Sequence, residues 1–158
     1  MATSSLLLLL ADGRFPAGAH AHSNGLEAAV AAGRVTDLAS LEAFLAGRLA
    51  TAGLVGAAFA AAAHRAVTSA GSAARGSTLA LLDAELDART AAPALRTVSR
   101  RQGRALLRAG RAIWPEASFD DLPSTPGGAH QPLVLGLLWW ILGGSATADT
   151  NTAPRHRS

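Results

Sequence analysis

Residues 54–67 read LVGAAFAAAAHRAV, and little except a closely packed helix can be built from them. Alanine is the best helix former, its small side chain lets neighbouring backbones approach, and no apolar/polar alternation offers a strand. The same bias runs through the chain. Apolar residues make up 49% of the 158 residues and aromatics only 4%, so there is core material for one domain but little bulk to fill it. Tyrosine is absent, and the valines are scattered rather than alternating. The expectation is an all-α, single-domain bundle of about six to seven helices over residues 1–142, with a disordered tail over 143–158.

Punctuating residues set the expected boundaries. Leu6–Ala11 reads as a short buried helix capped by Ser4 or Ser5. Gly13, Pro16 and Gly18 then form a loop. A second helix starts near Ser23 and ends near Ala32, with Gly33 at its C-terminus. Thr36 or Asp37 caps a third, in which Leu38, Leu41, Leu45 and Leu49 recur at helical spacing beside Phe44, an amphipathic stripe. Residues 53–67 make a fourth helix, and TSAGSAARGST (68–78) a flexible connection. A fifth covers Leu79–Thr90. A sixth takes Pro93 into its first turn and stops before Pro115. His130–Leu142 forms a seventh. Beyond Gly143 the composition shifts to mostly Thr, Ala, Ser and Arg without periodicity.

All fourteen basic residues are arginine, yet the formal charge is only +3, too mild to imply nucleic acid by itself. The charge is concentrated. On the sixth helix Arg96, Arg100, Arg101, Arg104, Arg108 and Arg111 share one arc, and Leu95, Val98, Gln102, Ala105, Leu106, Ala109 and Ile113 share the opposite one. Leu107 interrupts the arginine face, and Ser99 and Gly103 lie on the border. A glycine inside a helix costs roughly 1 kcal/mol against alanine, so Gly103 marks a close backbone approach. The arginine face is either a solvated surface, partly paired with the acidic fifth helix, or a docking surface. Nucleic acid is the less favoured alternative, since no aromatics interleave the arginines.

Catalytic groups are scarce. Asp83, Glu85 and Asp87 are spaced as a solvated helix face. Ser23 directly follows His22, which does not place a base on a hydroxyl. No nucleophile elbow or phosphate-cradling loop occurs. Cysteine is absent, which excludes disulfides and thiolate metal sites. His20 and His22 would point the same way in a strand but diverge by about 200° in a helix. His64, His130 and His156 are too distant in sequence to complete a ligand set. No enzyme, cofactor or resident metal is expected, although transient Ni²⁺ contact at His20 and His22 is chemically open. The opening apolar run lacks a basic flank and is shorter than a signal-peptide core. LVLGLLWWILGG, from Leu133, is too short to span a bilayer. A cytoplasmic location without membrane contact is expected.

Three blocks resemble, in order, the UreF family of urease accessory proteins. The first is LLLLLADGRFPAGAHAHSNGLEAAVAAGRV, with Pro16-Ala17-Gly18, His22-Ser23 and Gly25-Leu26-Glu27. The second is LDAELDARTAAPALRTVSRRQGRALLR, with Leu82-Asp83, Arg96, Ser99 and Gly103. The third is HQPLVLG, with His130, Pro132 and Gly136. Together they cover most of residues 5–136, and the Ala-His-x-His variant points to the actinobacterial form. The resemblance implies a non-catalytic helical scaffold of urease maturation. Such a scaffold dimerises, binds a UreD/UreH-type partner and recruits the GTPase UreG to apo-urease for nickel insertion. It also implies partner-facing residues: Pro16, Gly18, His20, His22, Ser23, Gly25, Leu26, Glu27, Arg96, Ser99, Arg100, Gly103 and Arg104. A nickel metallochaperone using His20 and His22 is the alternative. After Gly136 the likeness is expected to stop, as in a truncated or frameshifted chain. Missing helices would then leave apolar faces uncovered.

Overall fold

The computed structural model describes residues 22–69 and 71–151. Among them lie five helices and no strand. The expected Leu6–Ala11 helix, and with it Pro16, Gly18 and His20, falls outside the described residues.

Helix α1 is short, Leu26–Ala31. Gly33, at φ 66°, closes it: the Gly33 N–H donates to Val30 O and the Arg34 N–H to Ala29 O, the paired bonds of a left-handed glycine cap. Asp37 starts α2. The Ser40 N–H donates to Asp37 Oδ1 at 2.8 Å and the Asp37 N–H to Ser40 Oγ at 3.1 Å, a reciprocal capping box.

From there the structure departs from the expectation of two helices. Residues 38–69 form one continuous α2: Leu38–Arg48, a π-turn over Leu49–Gly53, then Leu54–Ser69. No proline interrupts the run. The extra residue is taken up as a π-bulge, the usual way a helix absorbs an insertion without ending. Through this merger the described residues hold five helices where six were expected of them. The second correction concerns residues 68–78. Helix α3 begins at Ser72 and runs to Arg89. The hydroxyls of Ser77 and Thr78 donate back to Ala74 O, so polar residues that suggested a linker bond within the helix.

Helix α4 spans Pro93–Ile113, with Pro93 where its missing N–H costs nothing. Helix α5 spans Gln131–Asn151, beyond the Leu142 end expected for it. The loss of apolar periodicity beyond Gly143 was the reason for ending it there, but no proline follows until Pro154.

The core is gathered around α5. Leu133, Val134, Leu137, Leu138 and Ile141 meet Ala63, Ala66 and Val67 of α2, Leu79 and Leu86 of α3, and Leu106 of α4. Phe119, Leu122 and Ala129 of the α4–α5 connection complete it. Two glycines permit this packing. A methyl on Gly136 would meet Ala60 O and lie 3.0 Å from His64 N. A methyl on Gly103 would meet Ala129 O and lie 3.0 Å from Gln131 N. The close approach expected at Gly103 is therefore to the chain entering α5.

Candidate docking surfaces and the clasp beneath them

At the entry to α1, Asn24 (φ 51°) and Gly25 (φ 94°) make a left-handed turn. The Leu26 N–H donates to Ser23 O at 3.1 Å, and the Glu27 N–H reaches Ser23 Oγ at 3.4 Å. The helix thus begins at Leu26 rather than near Ser23. His22 and Leu26 are half-buried, while Ser23 and Glu27 are exposed. A shallow cleft lined by Ala29, Arg34, Val35, Ser40, Ala43 and Phe44 lies between α1 and the first half of α2.

Elsewhere, α3, α4 and the start of α5 are tied by a largely buried polar clasp. Arg100 Nη1 donates to Asp83 Oδ2 (2.8 Å), Thr125 Oγ1 (3.1 Å) and Gly128 O (2.6 Å), and Nη2 donates to Asp87 Oδ1 (2.9 Å). Asp83 also accepts the backbone N–H of His130 at 2.9 Å. The His130 ring is fully buried, with Nε2 3.0 Å from Asp87 Oδ1 and Nδ1 3.0 Å from Ser99 Oγ. An ionised carboxylate only accepts, so Nε2 carries the proton and Nδ1 accepts from the Ser99 hydroxyl. Burial above all lowers the His130 pKa; the Asp87 hydrogen bond opposes this and the Arg100 charge adds to it. The ring is neutral at pH 7. The Arg100 hydrogen bond holds Asp87 below the usual carboxylate range, against the effect of burial. Among the described residues no buried side-chain nitrogen or oxygen lacks a partner.

This geometry corrects one reading. Asp83 and Asp87 were read as a solvated face, yet Asp83 is 2% exposed and both carboxylates hold Arg100. Of the arginine-face candidates, Ser99, Arg100 and Gly103 have intramolecular roles in or beneath the clasp. Arg96 Nη1 donates to Thr90 O and Ala91 O. Arg104 donates to Gly127 O and is exposed. A cleft above the clasp is lined by Asp87, Pro93, Arg96, Thr97, Arg100, Arg104 and Gly127. Sequence reasoning missed His130 and Thr125 as members. Carboxylates four apart on one helix and an arginine on the next signalled only the Arg100 pairing.

The most conspicuous surface is apolar. Leu38, Leu45 and Leu49 are 70%, 53% and 73% exposed, and at i, i+7 and i+11 they lie within about 40° of one another. Leu54 and Val55 continue the exposure past the π-turn. No residue from Leu38 to Gly53 is buried. By length and composition α2 could cross a membrane, a property hidden while it was read as two helices. Its second half instead packs on α5 and α3 as part of the bundle. Among the described residues no group of three or more His, Asp or Glu is placed to hold a metal ion.

A family model named UreF matches residues 35–148. The chain belongs to the UreF family. UreF proteins are non-catalytic urease accessory proteins. The chain is 45% identical over 161 residues to the urease accessory protein UreF of Mycobacterium marinum, covering 94% of this chain and 72% of that protein. The UreF of Mycolicibacterium vanbaalenii is 43% identical with the same coverage. That of Mycobacterium tuberculosis is 47% identical over 136 residues, which are 86% of this chain and 59% of that relative. No solved structure matches the chain. The family match runs past Gly136 to residue 148, within α5, so the likeness does not stop where the sequence reading ended it.

Proposed function

We propose that this UreF chain is a scaffold for assembly of the urease nickel metallocentre. It holds a UreD/UreH-type partner and the UreG GTPase on apo-urease, and pairs with a second copy as a homodimer. The single observation behind this reading is the row Leu38, Leu45 and Leu49, exposed along a helix with no buried residue in its first half. A contiguous apolar face of this kind marks an association site. Covering one such leucine contributes at most about 1.5–3 kcal/mol, and association costs roughly 4–15 kcal/mol. The leucine row therefore needs help from neighbouring surfaces. Exposed Glu27 and Ser23 and half-buried His22 at the entry to α1 are candidate polar contacts of such a surface, and family membership supports the choice of partners.

The test is reconstitution. Apo-urease, the UreD/UreH-type protein, UreG, GTP, bicarbonate and Ni²⁺ are combined with or without this chain, and urease activity and bound nickel are measured. Activation should rise with the wild-type chain and fall at least tenfold with L45S/L49S, while the chain alone hydrolyses no GTP. Equal activation without the chain would remove the scaffold reading. Stoichiometric Ni²⁺ uptake by the chain alone, lost in H20A/H22A, would favour the metallochaperone instead.

A further inference from the structure

The arginine face of α4 is not consumed by the clasp. Arg100 is held by two carboxylates, and Arg96 Nε lies 3.7 Å from Asp87. Arg101, Arg104, Arg108 and Arg111 are exposed, and among the described residues none of the four forms an ion pair with a carboxylate. Arg104 meets a neutral carbonyl, and the Arg111 guanidinium stands 5.9 Å from the Phe119 ring centre. At helical spacing these four cations lie within an arc of about 80° and along about 15 Å of helix. The chain's net charge of only +3 is thus unevenly placed, with a concentrated positive stripe on one helix.

We infer that Arg101, Arg104, Arg108 and Arg111 form an electrostatic docking stripe for an acidic helical face on a protein of the urease assembly. The inference rests on the scaffold reading and deepens it. Carboxylates at i, i+3 or i+4, and i+7 on a partner helix repeat the spacing of these guanidiniums, and Arg pairs carboxylates bidentately. A protein fits better than nucleic acid. No exposed aromatic lies in the stripe for a base to stack on, since Phe119 is 4% exposed and already faces Arg111. The half-buried Leu107 beside the stripe adds an apolar edge, as in mixed protein interfaces. Solvent-exposed ion pairs contribute little affinity each. The stripe's work is to accelerate encounter and fix orientation, complementing the leucine row, which supplies burial but no direction.

The test uses the full chain with the UreD/UreH-type protein, UreG and apo-urease as probes. In R101E/R108E the association rate should fall at least tenfold at 50 mM salt, with the gap closing at 500 mM; R101K/R108K should associate like wild type. The lysine variant also places primary amines on the stripe. A zero-length carbodiimide should then join position 101 or 108 to Asp or Glu residues of one partner, located by mass spectrometry. Complex formation with an unchanged rate in R101E/R108E and no cross-link at either position would overturn the stripe while leaving the scaffold reading intact. Association abolished by nuclease would assign the stripe to nucleic acid and overturn it too. No complex with any of the proteins would overturn both.

Discussion

Asp83 is only 2% exposed, and Arg100 and the His130 N–H both reach its carboxylate. Without the Asp83 carboxylate Arg100 keeps Asp87, but the His130 N–H loses its acceptor, and an unsatisfied buried donor costs about 1–3 kcal/mol. Asp83→Ala should therefore lower unfolding stability by roughly that amount, read from urea midpoints. At Gly103 and Gly136 an added methyl would meet backbone atoms that cannot move aside. Gly103→Ala should destabilise by about 1–3 kcal/mol, even though alanine is the better helix former. The clasp also fixes a pH dependence. In the unfolded chain His130 protonates near pH 6.5, whereas in the folded chain burial delays protonation to lower pH. The unfolded state binds the extra proton in that window, so stability falls as pH is lowered from about 6.5 towards the folded pKa. Asp87, whose folded pKa is also lowered, adds a further loss below about pH 4. Thermal midpoints should drop between pH 7 and 5, and His130→Gln should flatten the slope. At this scale the sequence revealed Gly103 as a close approach and narrowed the α2 cap to Thr36 or Asp37, of which Asp37 holds it, because each follows from local chemistry. His130 escaped detection because its partners lie 31 and 43 residues away, a distance no local pattern spans.

Among the elements, α1, α4 and the capped start of α2 were legible from glycine, proline and capping signals. Two boundaries were not. The join between the halves of α2 depends on a π-turn, whose cost is small enough that no sequence punctuation marks it. The start of α3 at Ser72 depends on hydroxyls bonding inside the helix rather than to a loop. The leucine stripe of α2 was legible as amphipathic, but periodicity cannot distinguish a face turned to the core from one turned to a partner. L38S/L45S/L49S should leave helicity and urea midpoint almost unchanged, because surface substitutions are usually within about 0.5 kcal/mol. The same variant should remain monomeric at concentrations where the wild-type chain self-associates, as sedimentation velocity would report.

For the molecule as a whole, the all-α class and family could be read from composition and three ordered motifs, whereas the distribution of burial could not. The clasp and the α5 core bind the second half of α2, α3 and α4 into a well-satisfied body, while the first half of α2 stands with no buried residue. Such an asymmetry predicts uneven local stability. The most direct measurement of the central claim is amide hydrogen exchange, in the free chain and in its complex with the UreD/UreH-type protein, UreG and apo-urease. Residues 38–54 should exchange quickly when free and become strongly protected in the complex, with little change in the α5 core. Unchanged exchange over residues 38–54 in a fully formed complex, with new protection confined elsewhere, would contradict the account.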